Sequence, residues 1–236
     1  MLIPYKRMKL LVLSDIHGNF DALQSVYNKE QYDKMIFLGD AVDYGPEPDR
    51  VLDFLKANSD INILGNHDNA VLTGSSCNCS FDMLELSDYT RDNISMKLLD
   101  KNDMALLKTF KLNTDTEIDG KKFYMAHASP YNNLDGYLFA NEAEKVFRDK
   151  PFFDNHDYIL IGHTHFMMVY RNKIINPGSV GQPRDFTGKP SYAVIDTETM
   201  SISFKRVTYD AESMLEKLKT SIPDRDIYEK LRKYYV

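Results

Sequence analysis

The stretch LLVLSDIHGN, residues 10–19, contains the pattern on which the architecture of this chain rests. Its first four residues, Leu10 to Leu13, are all apolar and predict a short strand that is buried on both faces, since uninterrupted runs of this kind are typical of interior strands. Apolar residues then recur at helical spacing at Phe20, Leu23 and Val26. The stretch therefore indicates a strand–loop–helix unit whose polar loop follows the carboxyl end of the strand.

Short apolar runs bounded by Gly, Asn or Asp recur along the chain and predict further buried strands. They lie at residues 35–38, 61–64, 123–125, 158–161 and 174–175. Helical candidates alternate with them, at residues 51–55, 83–99, 104–110, 141–148 and 211–219. Near the end of the chain, a Thr-Glu-Thr turn joins two alternating segments and predicts a hairpin. Repeated βα units with a terminal hairpin predict an α/β layered sandwich with mixed sheets.

The length and composition predict one folded domain. A hydrophobic fraction of 43% excludes a disordered chain, and 236 residues are ample for a buried core. The sequence contains no internal repeat and no linker rich in Pro, Gly or Ser. We therefore predict a single domain over residues 1–236.

The charge and the cysteine content argue against several classes of protein. A net charge of -6 disfavours a protein that binds extended nucleic acid through bulk charge. No apolar run approaches the ~20 residues of a membrane span, and charged residues interrupt the first 13 residues, which is not typical of a secretory signal. We expect a cytoplasmic protein in which Cys77 and Cys79 are free thiols, with a metal or redox pair as the alternative.

Polar side chains directly follow five of the predicted strands. They are Asp15, His17, Asp40, Asn66, His67, Asp68, His127, His163 and His165. In open α/β sheets, ligand sites form at the carboxyl ends of the strands. Divalent first-row metals bind imidazole nitrogen and carboxylate or amide oxygen. These residue types predict a dinuclear metal site. Residues two apart in an extended chain point to the same side, so both members of a pair such as His163 and His165 would point into that site.

These blocks carry a resemblance to a known family. The motifs DxH at 15–17, GD at 39–40, GNHD at 65–68, a histidine at 127 and GHTH at 162–165 resemble those of the calcineurin-like metallophosphoesterases. All five are present in order and span most of the chain. The resemblance implies a four-layer αββα sandwich and a hydrolase of phosphodiesters or phosphomonoesters, in which a metal-bridging hydroxide attacks phosphorus.

The resemblance also implies roles for individual residues. One metal would be held by Asp15, His17, Asp40 and His165, and Asp40 would bridge to a second metal held also by Asn66, His127 and His163. His67 would face the substrate phosphate and the leaving group, and Asp68 would orient it. Two divalent ions are implied, with Mn as the first expectation and Fe, Zn, Ni or Co as alternatives.

Two further residues are candidates for substrate binding. The segment NPGSVGQPR, residues 176–184, resembles that of small bacterial-type members, and Arg184 could bind a phosphate through its planar guanidinium. The alternative is a surface pair with Asp185. Asn19 could contact a phosphate or cap the following helix. His156 precedes a strand, and we expect it to be a solvated loop residue.

Departures from the family patterns bear on the substrate. Protein phosphatases and dinucleoside tetraphosphate hydrolases carry phosphate-binding arginines where this chain has Tyr44 and Leu64, so we favour a small phosphoester substrate. A protein phosphatase, a dinucleoside polyphosphate hydrolase and a non-catalytic scaffold, such as the retromer subunit of this fold, stay open as alternatives, as does the oligomeric state. The helical stretch 81–110 is expected to lie over the metal edge as a lid-like segment.

Overall fold

The computed structural model describes residues 8–235, without the side chains of Phe81 and Asp82. The stretch 1–13, considered above as a possible signal, therefore lies partly outside the described residues. The strands are β1 (Lys9–Leu13), β2 (Lys34–Phe37), β3 (Ile61–Asn62), β4 (Asn113–Ile118), β5 (Lys121–Ala126), β6 (Tyr158–Leu160), β7 (Met167–Tyr170), β8 (Ile174–Pro177), β9 (Ser191–Asp196) and β10 (Ser201–Arg206). Within residues 8–235 they form two five-stranded sheets, in the orders β10-β9-β1-β2-β3 and β4-β5-β6-β8-β7.

Helices cover both outer faces of the two sheets. They are α1 (Phe20–Lys29), α2 (Pro48–Asn58), α3 (Asn66–Thr73), α4 (Phe81–Thr90), α5 (Met96–Leu98), α6 (Lys101–Leu107), α7 (Glu144–Arg148), α8 (Lys150–Asn155), α9 (Ala211–Ser221) and α10 (Arg225–Arg232). A π-helical turn, Arg91–Ser95, joins α4 to α5, so the single helix predicted over 83–99 is divided. Of the two candidate caps at the start of α6, Asp100 and Asn102, it is Asp100 whose side chain accepts the amides of Asn102 and Asp103.

The alternation of β1 shows how the layers are built. Leu10 and Val12 face the second sheet and join an apolar layer between the sheets, whereas Leu11 and Leu13 pack outward against α1 and α2. A strand flanked by packed layers on both faces must be apolar throughout, which is the pattern at residues 10–13. The predicted αββα sandwich with mixed sheets is confirmed.

Parallel pairing sets where the loops meet. β1, β2 and β3 run parallel in the first sheet, and β5, β6 and β8 run parallel in the second. The predicted terminal hairpin is confirmed, because β9 pairs antiparallel with both β10 and β1. None of the helices within residues 8–235 has the length and the apolar character that crossing a membrane requires.

Candidate metal centre

The loops after the parallel strands carry unusual backbone conformations. Asp15, His17, Asp40, His163 and His165 have φ values of 54°, 49°, 63°, 66° and 63°. This left-handed region is sparsely populated by residues with a side chain, and it clusters at functional sites. The expectation that paired ligands point to one side of an extended chain is therefore wrong: the pairs reach the same place from tight loops.

Backbone hydrogen bonds hold these loops together. The Asp15 amide donates to the Gly39 carbonyl at 2.9 Å, and the amides of Ile16 and His17 both donate to the Asp40 carbonyl at 2.9 Å. The loops after β1 and β2 are thus joined through their main chains. Because these buried polar groups are satisfied, the ligand positions do not depend on side-chain packing alone.

Two glycines allow the loops to approach closely. A Cβ at Gly65 would lie 2.0 Å from Asp40 Oδ1, and one at Gly162 would lie 1.9 Å from Ser14 Oγ. Both distances are far below any van der Waals contact. Glycine is therefore required before Asn66 and before His163 for the approach of neighbouring loops, rather than to aim the residue that follows.

The first group of candidate ligands lies where β1, β2 and the loop after β6 meet. His165 Nε2 lies 3.2 Å from Asp15 Oδ1 and 3.3 Å from His17 Nε2. His17 Nε2 lies 3.7 Å from Asp40 Oδ2. All four side chains are buried. Their donor atoms converge as the ligands of one ion would.

The second group shares Asp40 with the first. His127 Nε2 lies 3.2 Å from Asp40 Oδ2 and 2.9 Å from Asn66 Oδ1. His163 Nδ1 lies 3.1 Å from the same Asn66 oxygen. Oδ2 of Asp40 thus faces a histidine of each group. The structure brings together all seven residues predicted as ligands, in the two sets that the resemblance implies.

Hydrogen bonds behind the histidines set which ring nitrogen faces the centre. The Nδ1 atoms of His17, His127 and His165 lie 3.0, 2.8 and 2.6 Å from the backbone carbonyls of Val42, Leu38 and Gln182. Nδ1–H donates to each carbonyl, which leaves the Nε2 lone pair directed at the centre. Partners of this kind orient metal-binding histidines and fix their tautomer.

The electrostatics favour the metal-binding protonation state at His17, His163 and Asp15 but not at His127, where burial lowers the pKa and the nearby Asp40 outweighs it, raising the pKa to about 9. Burial lowers the pKa of His17 and lowers that of His163 to about 3, so both rings are neutral at pH 7. Burial would raise the pKa of Asp15, but His165 and His127 together outweigh it and hold the pKa below its ordinary value. Asp15 Oδ1 is buried without a hydrogen-bond partner and lies among the imidazole nitrogens. An orphaned acceptor among N and O donors fits divalent cations.

His67 lies at the edge of the first group, beside a carboxylate that the sequence reasoning did not assign. Its Nδ1 lies 3.0 Å from Asp43 Oδ2, and its ring centroid lies 4.9 Å from that of His17. Burial lowers the pKa of His67, but Asp40 and the Asp43 hydrogen bond together raise it above its ordinary value. The ring is therefore suited to carry a proton. The second acidic residue of GDAVD was the available signal for Asp43.

We expect Asp43→Asn to lower kcat by about 10–10²-fold while metal content stays unchanged, because the amide neither holds the imidazolium nor fixes its tautomer. Steady-state kinetics with metal analysis of the same sample would check this. Ser95→Ala, which removes only the hydroxyl that donates to Asp43 Oδ1 at 2.8 Å, is the milder comparison. Loss of metal in Asp43→Asn would show that Asp43 supports the ligands instead.

The orienting role predicted for Asp68 is wrong. Its Oδ2 accepts the amides of Asp40 and Gly65 at 2.9 and 3.0 Å, and its Oδ1 accepts the amide of Ala41 at 2.8 Å. His67 and Asp68 are consecutive in α3, so their side chains diverge by the helical rotation. Asp68 fastens the loop after β2 to the start of α3.

Replacing Asp68 by Ala should lower the free energy of unfolding by about 3 kcal/mol or more, because three buried amides lose their acceptor. Urea denaturation of the metal-free protein would measure this. Asp100→Ala is the matched control: it removes an exposed cap of two amides and should cost about 1 kcal/mol. Equal losses in the two variants would contradict the structural role of Asp68.

The two predicted substrate contacts behave differently. Asn19 Oδ1 accepts the Ala22 amide at 3.1 Å and its Nδ2 donates to the Gly181 carbonyl at 2.9 Å, so the buried amide serves as a helix cap. The contact predicted between Asn19 and a phosphate is therefore not supported. Arg184 does not pair with Asp185, whose carboxylate binds Arg206 instead. Arg184 donates to Gln182 Oε1 at 2.9 Å.

Arg184 stays a candidate for binding phosphate. Burial is the main cause of the lowered pKa of His165, and the Arg184 guanidinium lowers it further. Arg184 also opposes the raised pKa of His67. Its positive charge is therefore felt at both sides of the first ligand group.

Two other expectations are wrong. Cys77 and Cys79 form a disulfide instead of free thiols, and Cys79 Sγ lies 3.2 Å from His67 Nε2. His156 is buried rather than solvated, with ring nitrogens 2.8 Å from the Phe152 carbonyl and 2.6 Å from Asp115 Oδ1. A histidine before a strand gave no signal of this packing.

The helical stretch 81–110 forms one wall of the site. Ser87 Oγ lies 3.2 Å from His67 Nδ1, Ser95 donates to Asp43, and Thr90 accepts the Tyr44 amide at 3.0 Å. Tyr44 itself packs against both His17 and His67, with ring centroids 4.8 and 4.9 Å away. The segment expected to act as a lid thus contacts the side of the centre on which His67 lies.

Comparison with known proteins decides the family. Residues 8–200 match the calcineurin-like phosphoesterase superfamily domain. The chain belongs to this superfamily. Calcineurin-like phosphoesterases are metal-dependent hydrolases, so membership implies hydrolase chemistry and agrees with the His and Asp groups that the structure brings together.

Individual proteins and a solved structure are also similar to this chain. The chain is 32% identical over 238 residues to an uncharacterized protein of Methanocaldococcus jannaschii, covering 91% of this chain and 94% of that protein. It is 33% identical over 159 residues to a symmetrical bis(5'-nucleosyl)-tetraphosphatase of Baumannia cicadellinicola, covering 61% and 51% of the two chains. The crystal structure of a metallophosphoesterase from Sphaerobacter thermophilus superposes with a TM-score of 0.80 at 25% identity, covering 97% and 100%.

Proposed function

We propose that this protein is a dinuclear metal-dependent phosphoesterase that hydrolyses small phosphodiesters or phosphomonoesters. The observation that supports this most is the pair of ligand groups sharing Asp40, with His127 Nε2 at 3.2 Å and His17 Nε2 at 3.7 Å from its Oδ2. Two bound cations would supply Lewis-acid charge and a hydroxide nucleophile at neutral pH. Mn²⁺ is the first cation to test, with Fe, Zn, Ni and Co as alternatives.

The chain's own residues would bind the phosphate and protonate the leaving group. Arg184, whose charge acts to lower the pKa of both His67 and His165, would bind a phosphate oxygen. His67, held by Asp43, would donate its proton to the departing alkoxide. Tyr44 and the wall from α4 exclude water around His67, which strengthens the charge interactions there.

The test is hydrolysis of bis-p-nitrophenyl phosphate and p-nitrophenyl phosphate by purified protein that has been dialysed against chelator and reloaded with Mn²⁺. Activity that needs the added metal is expected with at least one of them. Metal-loaded protein that hydrolyses neither would overturn the proposal and favour a non-catalytic scaffold.

A second candidate is a dinucleoside polyphosphate hydrolase, which the likeness to the bis(5'-nucleosyl)-tetraphosphatase favours. The same metal-loaded protein should be offered diadenosine tetraphosphate and a phosphopeptide. A kcat/KM for diadenosine tetraphosphate far above that for the nitrophenyl esters would select this candidate. A preference for the phosphopeptide would select a protein phosphatase, although Tyr44 and Leu64 disfavour it.

A further inference from the structure

We propose that Tyr137, Phe139 and Phe166 form a subsite, here called the aromatic shelf, that binds a planar aromatic group of the substrate. The inference rests on the proposed function and names the class of phosphoester: one that carries an aryl or nucleobase ring next to its phosphate. The shelf begins at the metal centre, because the Tyr137 ring centroid lies 4.2 Å from that of His163.

The three rings present their faces and edges in a continuous row. The ring planes of Tyr137 and Phe139 are nearly parallel, with centroids 5.9 Å apart and an interplanar angle of 4°. Phe139 meets Phe166, the residue after His165, edge-on at 6.2 Å. Their exposed fractions are 38%, 40% and 38%. Large apolar side chains that cluster in the open beside a polar centre mark a binding surface.

A structured loop holds the shelf in place. The Ala128 amide donates to the Asn133 carbonyl at 2.8 Å, and the Asn133 side chain donates to the Tyr124 hydroxyl at 2.8 Å. A Cβ at Gly136 would lie 2.5 Å from Ser129 Oγ, so the turn before Tyr137 is tightly closed. A subsite that is organised before binding loses less entropy when a ligand arrives.

A cavity lies beside the shelf. Its volume is about 350 Å³, and Phe139, Phe166, Met167 and Met168 contribute to its lining. Thr164, which separates the ligands His163 and His165, also lines it. Methionine and aromatic side chains adapt to flat apolar groups, whereas a polyol would leave its hydroxyls unpaired against them.

The shelf is joined to the candidate phosphate-binding residue. The Arg184 guanidinium acts on the Tyr137 hydroxyl, since burial raises the pKa of that hydroxyl and the charge of Arg184 opposes the rise. One row of contacts therefore runs from a cation, past the metal ligands, to apolar ring faces. A phosphate followed by a planar ring is complementary to that order of chemistry.

The experiment compares two matched, non-hydrolysable pairs by calorimetric binding to the Mn²⁺-loaded protein. Phenylphosphonate is compared with methylphosphonate, and the methylenephosphonate analogue of adenosine 5'-monophosphate with that of ribose 5-phosphate, because a carbon–phosphorus bond replaces the ester bond in all four. The aromatic member of at least one pair should bind about tenfold tighter or more, and the pair that discriminates tells an aryl ring from a nucleobase. Phe139→Ala should reduce that ratio to within about twofold without changing the affinity for the member that lacks a ring.

The control is Tyr131→Ala, an exposed aromatic of the same loop whose hydroxyl reaches the Lys145 carbonyl instead of the shelf. It should keep the wild-type ratio. Equal affinity within both pairs, or a ratio that Phe139→Ala and Phe166→Ala leave unchanged, overturns the shelf while the proposed function stands. Protein that holds Mn²⁺ but binds no phosphonate and hydrolyses no ester overturns the proposed function and the shelf together.

Discussion

Asp40→Asn is expected to remove most of the bound metal and to lower kcat/KM by ~10³-fold or more. Asp40 Oδ2 faces histidines of both ligand groups, so one substitution weakens both at once. Loss of a single preorganised charged or polar group at a reacting centre already costs ~10²–10³ in rate. Asn keeps the shape of Asp and can still accept the His67 amide, which lies 2.9 Å from Oδ1, so the fold should persist.

Metal analysis after gel filtration, together with circular dichroism, would test this expectation. Asp115→Asn is the matched control, since Asp115 contacts a histidine, His156, outside the centre. It should retain both metal and activity. Full metal content in Asp40→Asn would refute the sharing of Asp40 between the two groups.

His67→Ala is expected to lose ~10²–10⁴ in kcat while it keeps its metal, the range that a positioned proton donor contributes. The loss should be larger for an alkyl ester than for a p-nitrophenyl ester, because nitrophenolate is stable enough to leave without a proton. This dependence on the leaving group separates proton donation from a general disturbance of the site.

His156→Ala is the control for loss of a buried histidine. It removes contacts to Asp115 and to the Phe152 carbonyl, so it should lower stability and leave kcat close to wild type. A His67→Ala enzyme with unchanged turnover would leave the proton donor to be found elsewhere.

The sequence predicted the interior strands but not the edges of the second sheet. Runs such as residues 10–13 and 158–161 are apolar because helices or strands cover both faces. β4 and β7 end the order β4-β5-β6-β8-β7, and β4 is mostly exposed and polar. An edge strand without an apolar run, such as β4, carries little periodic signal. β7 does have an apolar run, MMVY, but it begins two residues after His165 and was not predicted as a separate strand.

The sequence predicted that seven candidate ligands would converge, because each stands just beyond a strand end. It did not predict the partner of His67, since the resemblance gave that role to Asp68. In the fold, Asp43 has a φ of 65° and its carboxylate lies 3.0 Å from the His67 ring nitrogen. Asp adopts this left-handed conformation more often than most residues do, but still in a small minority of cases, so the residue type alone does not predict it. The burial of His156 likewise depends on a distant segment, because its ring contacts Asp115 of β4, whereas the Cys77–Cys79 disulfide joins residues two apart in the chain.

The three amides gathered by Asp68 have a consequence for how the protein would exchange its cations. Hydrogen bonds from three backbone amides to Asp68 hold the loop after β2 and the start of α3, so these segments keep their conformation without a bound ion. Little of the free energy of ion binding would then be consumed in ordering the chain, in contrast to small domains that fold only around their metal. One cation could then replace another as their concentrations change, while the backbone of these loops keeps its conformation.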